Sequence, residues 1–178
     1  MTFQHKNYYQ IFDLPISFEV DTALLANRYR ELQRVVHPDK FANAGAQERR
    51  LAVQQATLLN DAFGVLKDPL QRARYLLQLR EVDLAAVDAG QLEPAFLMEQ
   101  MELRERLGGI REAADPAAGL AALGEQLASG RQTLVAALTS CFSNADPASL
   151  QQAGELVKKL QFMYRLQDEL DRLEEELI

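Results

Sequence analysis

The sequence predicts an all-α protein of two domains, and three observations lead to this prediction. Apolar residues recur three or four positions apart along most of the chain, which is the period of an α-helix. Three Asp-Pro pairs and one Glu-Pro pair punctuate the chain, and an acidic residue followed by proline favours a helix start. Residues 1–82 hold 11 Lys/Arg and 9 Asp/Glu, whereas 83–178 hold 8 and 17. A mildly basic N-terminal part and an acidic C-terminal part indicate two modules with different partners.

Composition excludes several classes of protein. The 178 residues are 48% hydrophobic and carry a net charge of −7, which is typical of a folded globular chain and disfavours a nucleic-acid partner. No run approaches the roughly 18 apolar residues of a membrane span, and no signal peptide is recognisable at the start. We therefore expect no membrane partner. The single cysteine, Cys141, favours a core role in a reducing, cytoplasmic location.

In the first half, the spacing predicts a helical hairpin, and we expect the short apolar piece before it, at 8–12, to cover one side of that hairpin. Asp21 is a good N-cap for a helix over 21–36. The apolar residues on one face of this helix are Leu25, Tyr29, Leu32 and Val36. A second helix over 46–67 repeats their spacing. Two such faces joined by a short polar loop predict antiparallel packing.

After the hairpin, acid–proline pairs predict the starts of four further helices. These helices span 69–79, 94–107, 116–143 and 147–177. We assign 1–80 to the first domain, 81–93 to a connection and 94–178 to the second domain. One short and two long helices make the second domain a three-helix bundle.

The motif HPDK at 37–40 occupies the predicted hairpin loop. Pro38 ends the first helix and keeps His37 out of the helical region. We therefore expect a rigid tip that presents an imidazole and a carboxylate. Arg30 and Arg34 lie one turn apart on the preceding helix, away from its apolar face. A basic stripe that leads into this tip suits docking on an acidic surface.

The same motif raises two other possibilities, general acid–base catalysis and an ordinary turn. One histidine and one carboxylate are too few for a metal site, and the only other histidine is His5. No nucleophile has an evident base, and there is no glycine-rich phosphate loop. We therefore expect no enzymatic activity, no metal and no cofactor. A small hydrolase using His37 and Asp39 remains the catalytic alternative.

The helix over 94–107 divides into two apolar faces. The face suited to packing on the long helices holds Phe96, Leu103 and Leu107. An adjoining face holds Leu97, Met98 and Met101, with Glu102 and Glu105 beside it. Phe162 likewise lies off the apolar face of the last helix. Surplus apolar residues rimmed by carboxylates predict a partner site, and the alternative is a broad core face on a helix buried from two sides.

The pattern over about 5–77 resembles the J-domain of DnaJ-type co-chaperones. It combines the first helix, the HPDKF tip, and the stretch LNDAFGVLKDPLQRARYLL. Val36 departs from the family, since many J-domains have Tyr before the His. The resemblance implies docking on a DnaK-class chaperone and stimulation of its ATPase. The residues implied in that docking are Arg30, Arg34, His37, Pro38, Asp39 and Lys40.

The remainder resembles the HscB family, J-type co-chaperones of iron–sulfur cluster biogenesis. The segments AFLMEQMELRERL and KKLQFMYRLQDELDRLEEEL carry this resemblance, and the Gly/Phe-rich linker and zinc-binding cysteines of a general DnaJ are missing. It implies HscA as the chaperone partner and the scaffold IscU as the protein delivered. The positions implied in binding IscU are Leu97, Met98, Met101, Glu102, Glu105 and Phe162. A J-domain adaptor for another client is the alternative.

Overall fold

The computed structural model describes residues 3, 6–41 and 44–177, without the side chains of Pro38 and Phe41. This part of the chain forms eight α-helices and two short 3-10 turns, Pro38–Phe41 and Ile110–Glu112. The helices are α1 (Tyr8–Ile11), α2 (Thr22–Val36), α3 (Ala46–Lys67), α4 (Pro69–Leu79), α5 (Leu84–Ala89), α6 (Pro94–Gly109), α7 (Pro116–Asn144) and α8 (Pro147–Leu177). The predicted all-α class is confirmed. None of the described helices is long and apolar enough to cross a membrane.

The chain divides into two compact units, Met1–Leu76 and Leu77–Ile178, with the boundary inside α4. The first unit contains the predicted hairpin of α2 and α3. Tyr29 on α2 stacks on Phe63 of α3 with ring centroids 4.1 Å apart, and its hydroxyl donates to Asn60 Oδ1 at 2.9 Å. Leu25 of α2 and Leu59 of α3 are fully buried. Stacked and aliphatic contacts therefore hold the two helices together along one face.

Two aromatic contacts tie α1 to the rest of the first unit. The Tyr8 ring stacks on Tyr75 of α4 at 4.4 Å, and the Tyr8 N–H donates to the Tyr75 hydroxyl at 2.9 Å. The Tyr9 side chain is fully buried and its hydroxyl donates to Ser17 O at 2.8 Å. Burial raises the pKa of Tyr9 above its usual range. The short helix also contacts α3, and it therefore covers one side of the hairpin, as predicted.

The second unit is a bundle of α6, α7 and α8 with a continuous apolar core. Proline at the first helical position and an Asp cap start α7, because Asp115 Oδ1 accepts from the Ala118 N–H at 3.0 Å. The core side chains come from all three helices and the turn after α6. They are Phe96, Leu103, Leu107, Ile110, Leu123, Leu127, Phe162, Met163, Leu166, Leu170 and Leu173.

The segment 81–93, which we assigned as a connection, contains the short helix α5. Asp83 caps this helix by accepting from the backbone N–H groups of residues 85 and 86 at 2.9 and 3.3 Å. Val87 packs on α8 where Gly154 leaves room for it. Lys158 of α8 donates to the carbonyl of Gly90, which ends α5. The segment therefore belongs to the second unit.

Candidate functional site

The hairpin tip takes its shape from the order of its residues. α2 ends at Val36, and His37 adopts the extended conformation with φ −58° and ψ 125°. A following proline disfavours the helical conformation at that residue. Pro38 then opens a 3-10 turn, in which the Lys40 N–H donates to His37 O at 3.1 Å. The backbone of the motif is thus fixed, while the Pro38 side chain lies outside the described part of the chain.

His37 and Asp39 contact each other at this tip. The Asp39 N–H donates to His37 Nδ1 at 3.3 Å, and the same nitrogen lies 3.5 Å from Asp39 Oδ2. The side chains are 49% exposed for His37 and 88% exposed for Asp39. The carboxylate is therefore positioned yet open to an external cation.

Basic side chains lie near the tip and on the end of α2. Arg34 and Lys40 line an open depression of about 430 Å³ together with His37. Arg30 lies one turn earlier on α2, where its guanidinium donates to Asn27 Oδ1. All three cations are exposed. The tip and the end of α2 thus form one basic surface, which suits an acidic partner.

In the second unit, α6 has two faces of different exposure. The core-facing residues are Phe96, Leu103 and Leu107. On the other side Leu97, Met98 and Met101 are 45%, 64% and 72% exposed, and we refer to these three as the apolar patch. Glu102 and Glu105 are also exposed. The helix divides as its spacing predicts, and the alternative of one broad core face does not hold.

Phe162 is placed differently from the expectation that it joins this exposed surface. Its side chain is 7% exposed, and its ring meets Phe96 edge-on with centroids 5.8 Å apart. The reason is that α8 contacts both α6 and α7. A helix packed from two sides buries a wider stripe than a single row of residues. Residues off the main apolar face of α8 are therefore also covered.

A pocket beside the apolar patch was not foreseen from the sequence. It has a volume of about 380 Å³, lies among α5, α6 and α8, and includes Arg104, Lys158 and Arg165 in its lining. The Arg104 guanidinium lies 5.5 Å from the centroid of the Phe162 ring. On α8 the spacing of Lys158, Phe162 and Arg165 is +4 and +3, which places them on one face. That spacing is the sequence signal for this pocket.

Known proteins resemble this chain over nearly its whole length. Residues 92–171 match the family described as HSCB C-terminal oligomerisation domain. The co-chaperone protein HscB homolog of Shewanella woodyi is 44% identical over 171 residues, covering 96% of this chain and 98% of the relative. The homolog of Shewanella baltica is 45% identical over 172 residues, covering 97% and 99%. The chain belongs to the HscB co-chaperone family.

Solved structures of HscB proteins share the fold. The chaperone HscB from Vibrio cholerae superposes with a TM-score of 0.86 at 40% identity, covering 97% of this chain and 99% of that one. Human co-chaperone HscB gives 0.87 at 29% identity, covering 96% and 83%. The Jac1 co-chaperone of Saccharomyces cerevisiae gives 0.73 at 26%, covering 95% and 94%. The first unit is thus a J-domain and the second the HscB C-terminal helical domain.

Two further features of this HscB family member concern reactive groups. Cys141 is buried on α7, and burial raises the pKa of its thiol, which suits the core role predicted for it. Among the described residues, no group of three or more His, Cys, Asp or Glu side chains could hold a metal ion.

Proposed function

We propose that this chain is a co-chaperone of iron–sulfur cluster assembly that brings the scaffold protein IscU to HscA, a DnaK-class chaperone. The observation that carries the proposal is that one chain presents two exposed surfaces of different chemistry. One is the basic tip around Asp39 on the J-domain, and the other is the apolar patch on α6. Membership of the HscB co-chaperone family supports the same role.

The J-domain acts on the chaperone by docking. Arg30, Arg34 and Lys40 attract an acidic surface, which raises the rate of productive encounter. The exposed Asp39 carboxylate pairs with a cationic group of the chaperone, while His37 limits the positions that Asp39 can take. Such preorganisation reduces the entropy lost on binding. Docking shifts HscA toward the conformation that hydrolyses ATP if the J-domain binds that conformation more tightly. The difference in binding free energy between the two conformations sets the size of the shift.

The C-terminal domain holds the scaffold through the apolar patch. Leu97, Met98 and Met101 supply apolar area, and the flexible Met side chains adapt to the shape of a partner. Glu102 and Glu105 supply a charged rim that discriminates against acidic partner segments on that side. Phe162 supports α6 from the core, so its contribution to IscU binding is mainly through the position of that helix.

ATP hydrolysis by purified HscA tests the proposal. We expect this chain and IscU together to stimulate steady-state turnover more than either does alone. Asp39→Asn should remove the stimulation due to this chain, because it removes the exposed charge with little change in volume. The matched control is Asp61→Asn, since Asp61 is also an exposed carboxylate of the J-domain but lies on α3. That variant should stimulate HscA like the wild type.

Two results would contradict this function. If the folded wild-type chain leaves HscA turnover unchanged both with and without IscU, the chain does not act on this chaperone. If Asp39→Asn and Asp61→Asn reduce stimulation equally, the effect depends on total charge and the tip has no special role.

A further inference from the structure

The pocket lined by Arg104, Lys158 and Arg165 is a concentration of positive charge in an acidic domain, and we refer to it as the cationic pocket. Residues 83–178 hold 17 Asp/Glu and 8 Lys/Arg, and three of these eight cations line this single pocket of about 380 Å³. Among its lining residues, Asp88 is the one carboxylate. Three cations around one carboxylate leave the pocket positively charged.

Two other cations of this domain pair with carboxylates away from the pocket. Lys159 Nζ pairs with Glu93 at 3.0 Å, and Arg111 pairs with Glu176. The Arg104 guanidinium lies over the Phe162 ring, 5.5 Å from its centroid, as that of Arg131 lies over Tyr164. A guanidinium over an aromatic ring can still donate from its N–H groups to a carboxylate. The ring below it also removes water from one side of the charge, which strengthens an ionic contact there.

The cationic pocket is continuous with the apolar patch along α6. Leu97, Met101 and Arg104 are spaced +4 and +3, so they follow one stripe of the helix. At 1.5 Å per residue, this stripe runs about 10 Å from Leu97 to Arg104. Glu105 lies next to the patch on the same helix. A segment that lies along α6 therefore meets apolar side chains and then a cationic pocket.

We infer that the cationic pocket receives a carboxylate of the scaffold protein whose apolar side chains cover the apolar patch. This inference rests on the proposed function of α6 and adds the chemistry of the partner, a segment with an Asp or Glu beside its apolar contact residues. Glu102 and Glu105 repel an acidic group at the other edge of the patch. The charges on the two sides therefore select one orientation of the bound segment.

Isothermal titration calorimetry with IscU and the full-length chain tests the inference at two ionic strengths. Arg165→Glu should weaken binding about tenfold or more at the lower ionic strength, because it reverses one charge of the pocket. The matched control is Arg172→Glu, which makes the same change at an exposed position of α8 outside the pocket. An exposed charge of that kind should change affinity about twofold at most. Circular dichroism would verify that both variants keep their helix content.

Each other outcome has a definite meaning. Equal weakening by Arg165→Glu and Arg172→Glu would show an effect of net charge and would overturn the inference. Wild-type affinity in Arg165→Glu, together with weaker binding by Leu97→Ala, would overturn the pocket but leave the proposed function intact. Absence of IscU binding by the folded wild type would overturn both.

Discussion

At the scale of single residues, Asp146 shows how one side chain starts the longest helix. Its Oδ1 accepts from the Ser149 N–H and its Oδ2 from the Ser149 hydroxyl, both at 2.9 Å. These hydrogen bonds favour the ionised carboxylate and lower the pKa of Asp146. The preceding residue, Ala145, has a left-handed backbone with φ 52° that ends α7. The turn between α7 and α8 thus ends at an ionised carboxylate that caps α8.

The lowered pKa predicts that this cap depends on pH. The folded chain holds the Asp146 proton less tightly than the unfolded chain, whose Asp residues titrate near pH 3.9, at about the reference value. The contribution to stability is therefore complete above that pH and is lost as the pH falls through the lowered pKa. We expect Asp146→Ala to lower the melting temperature at neutral pH. The difference from the wild type should shrink as the solution is made strongly acidic.

Thermal unfolding followed by circular dichroism across the acid range measures this difference. Asp168→Ala is the matched control, because Asp168 is an exposed carboxylate in the interior of α8. Alanine is a better helix former than aspartate there, so the control should not lower the melting temperature. A constant deficit of Asp146→Ala at every pH would show that the ionised form of the cap is not what stabilises α8.

Residue-level prediction from the sequence succeeded where the cause is local. The conformation of His37 follows from the proline after it. The helical spacing of α6 separated its two apolar faces but left open whether Met98 and Met101 are exposed. Residue-level prediction failed at Phe162, because the exposure of that ring depends on a second helix packed against α8. Which of two neighbouring elements covers a side chain is not encoded in its own segment.

At the scale of secondary structure, the contact of α5 with α8 depends on one glycine. A Cβ placed on Gly154 would lie 3.0 Å from Cγ2 of Val87 and 3.4 Å from Cγ1. Both distances are too short for comfortable carbon contacts, whose optimum lies near 3.5–4.0 Å. Valine is also stiff at χ1, so it cannot easily turn away. Gly154 therefore provides the space in which α5 sits on α8.

Gly154→Ala should accordingly loosen α5. Alanine gains up to about 1 kcal/mol of helix propensity in α8, but the crowding against Val87 costs about 1–3 kcal/mol. We expect a net loss of unfolding free energy, with faster amide hydrogen exchange in α5 than in α8. Hydrogen exchange read by mass spectrometry, together with urea unfolding, measures both effects.

A control variant and a second substitution make this test specific. Gly124→Ala should stabilise the chain, because its Cβ would lie at an ordinary 3.6 Å from Leu170 Cδ2. Adding Val87→Ala to Gly154→Ala should relieve the crowding and return α5 exchange toward that of the Val87→Ala single variant. Equal stabilisation by Gly154→Ala and Gly124→Ala would mean that α8 needs no space at this position.

Helix starts were predictable because their causes are adjacent in sequence, as with Asp115 and Pro116 before α7. α5 was not predicted because its six residues are too few to show a full amphipathic pattern. What holds this helix in place is distant along the chain, since Lys158 and the Gly90 carbonyl are 68 residues apart. Long-range contacts of that kind are visible only in the folded molecule.

At the scale of the whole molecule, the two proposed surfaces lie in different units of one chain. The apolar patch that binds the scaffold is then linked through the chain to the tip that carries Asp39. Linkage converts the second binding event into an intramolecular one, with an effective concentration on the order of millimolar for a short connection. Under the proposed function, joint stimulation of HscA therefore requires both surfaces in the same chain.

Mixing two variants tests this requirement. Asp39→Asn keeps the apolar patch, and the double variant Leu97→Ala with Met101→Ala keeps the tip. At low micromolar concentrations we expect an equimolar mixture of the two to leave HscA turnover with IscU far below the wild-type level, because each scaffold is bound by a chain with an inactive tip. Each variant mixed with the wild type should retain the stimulation due to the wild-type fraction.

Restored turnover in the mixture of the two variants would contradict linkage within one chain. It would instead mean that chains associate, so that the patch of one and the tip of another act together. Residues 92–171 match a family described as an oligomerisation domain. Association of chains is therefore the explanation to test first. Sedimentation velocity at the assay concentration then decides the cause, because association predicts a complex larger than the 20.0 kDa chain. Stimulation by monomers in trans would instead require each surface to act on HscA independently.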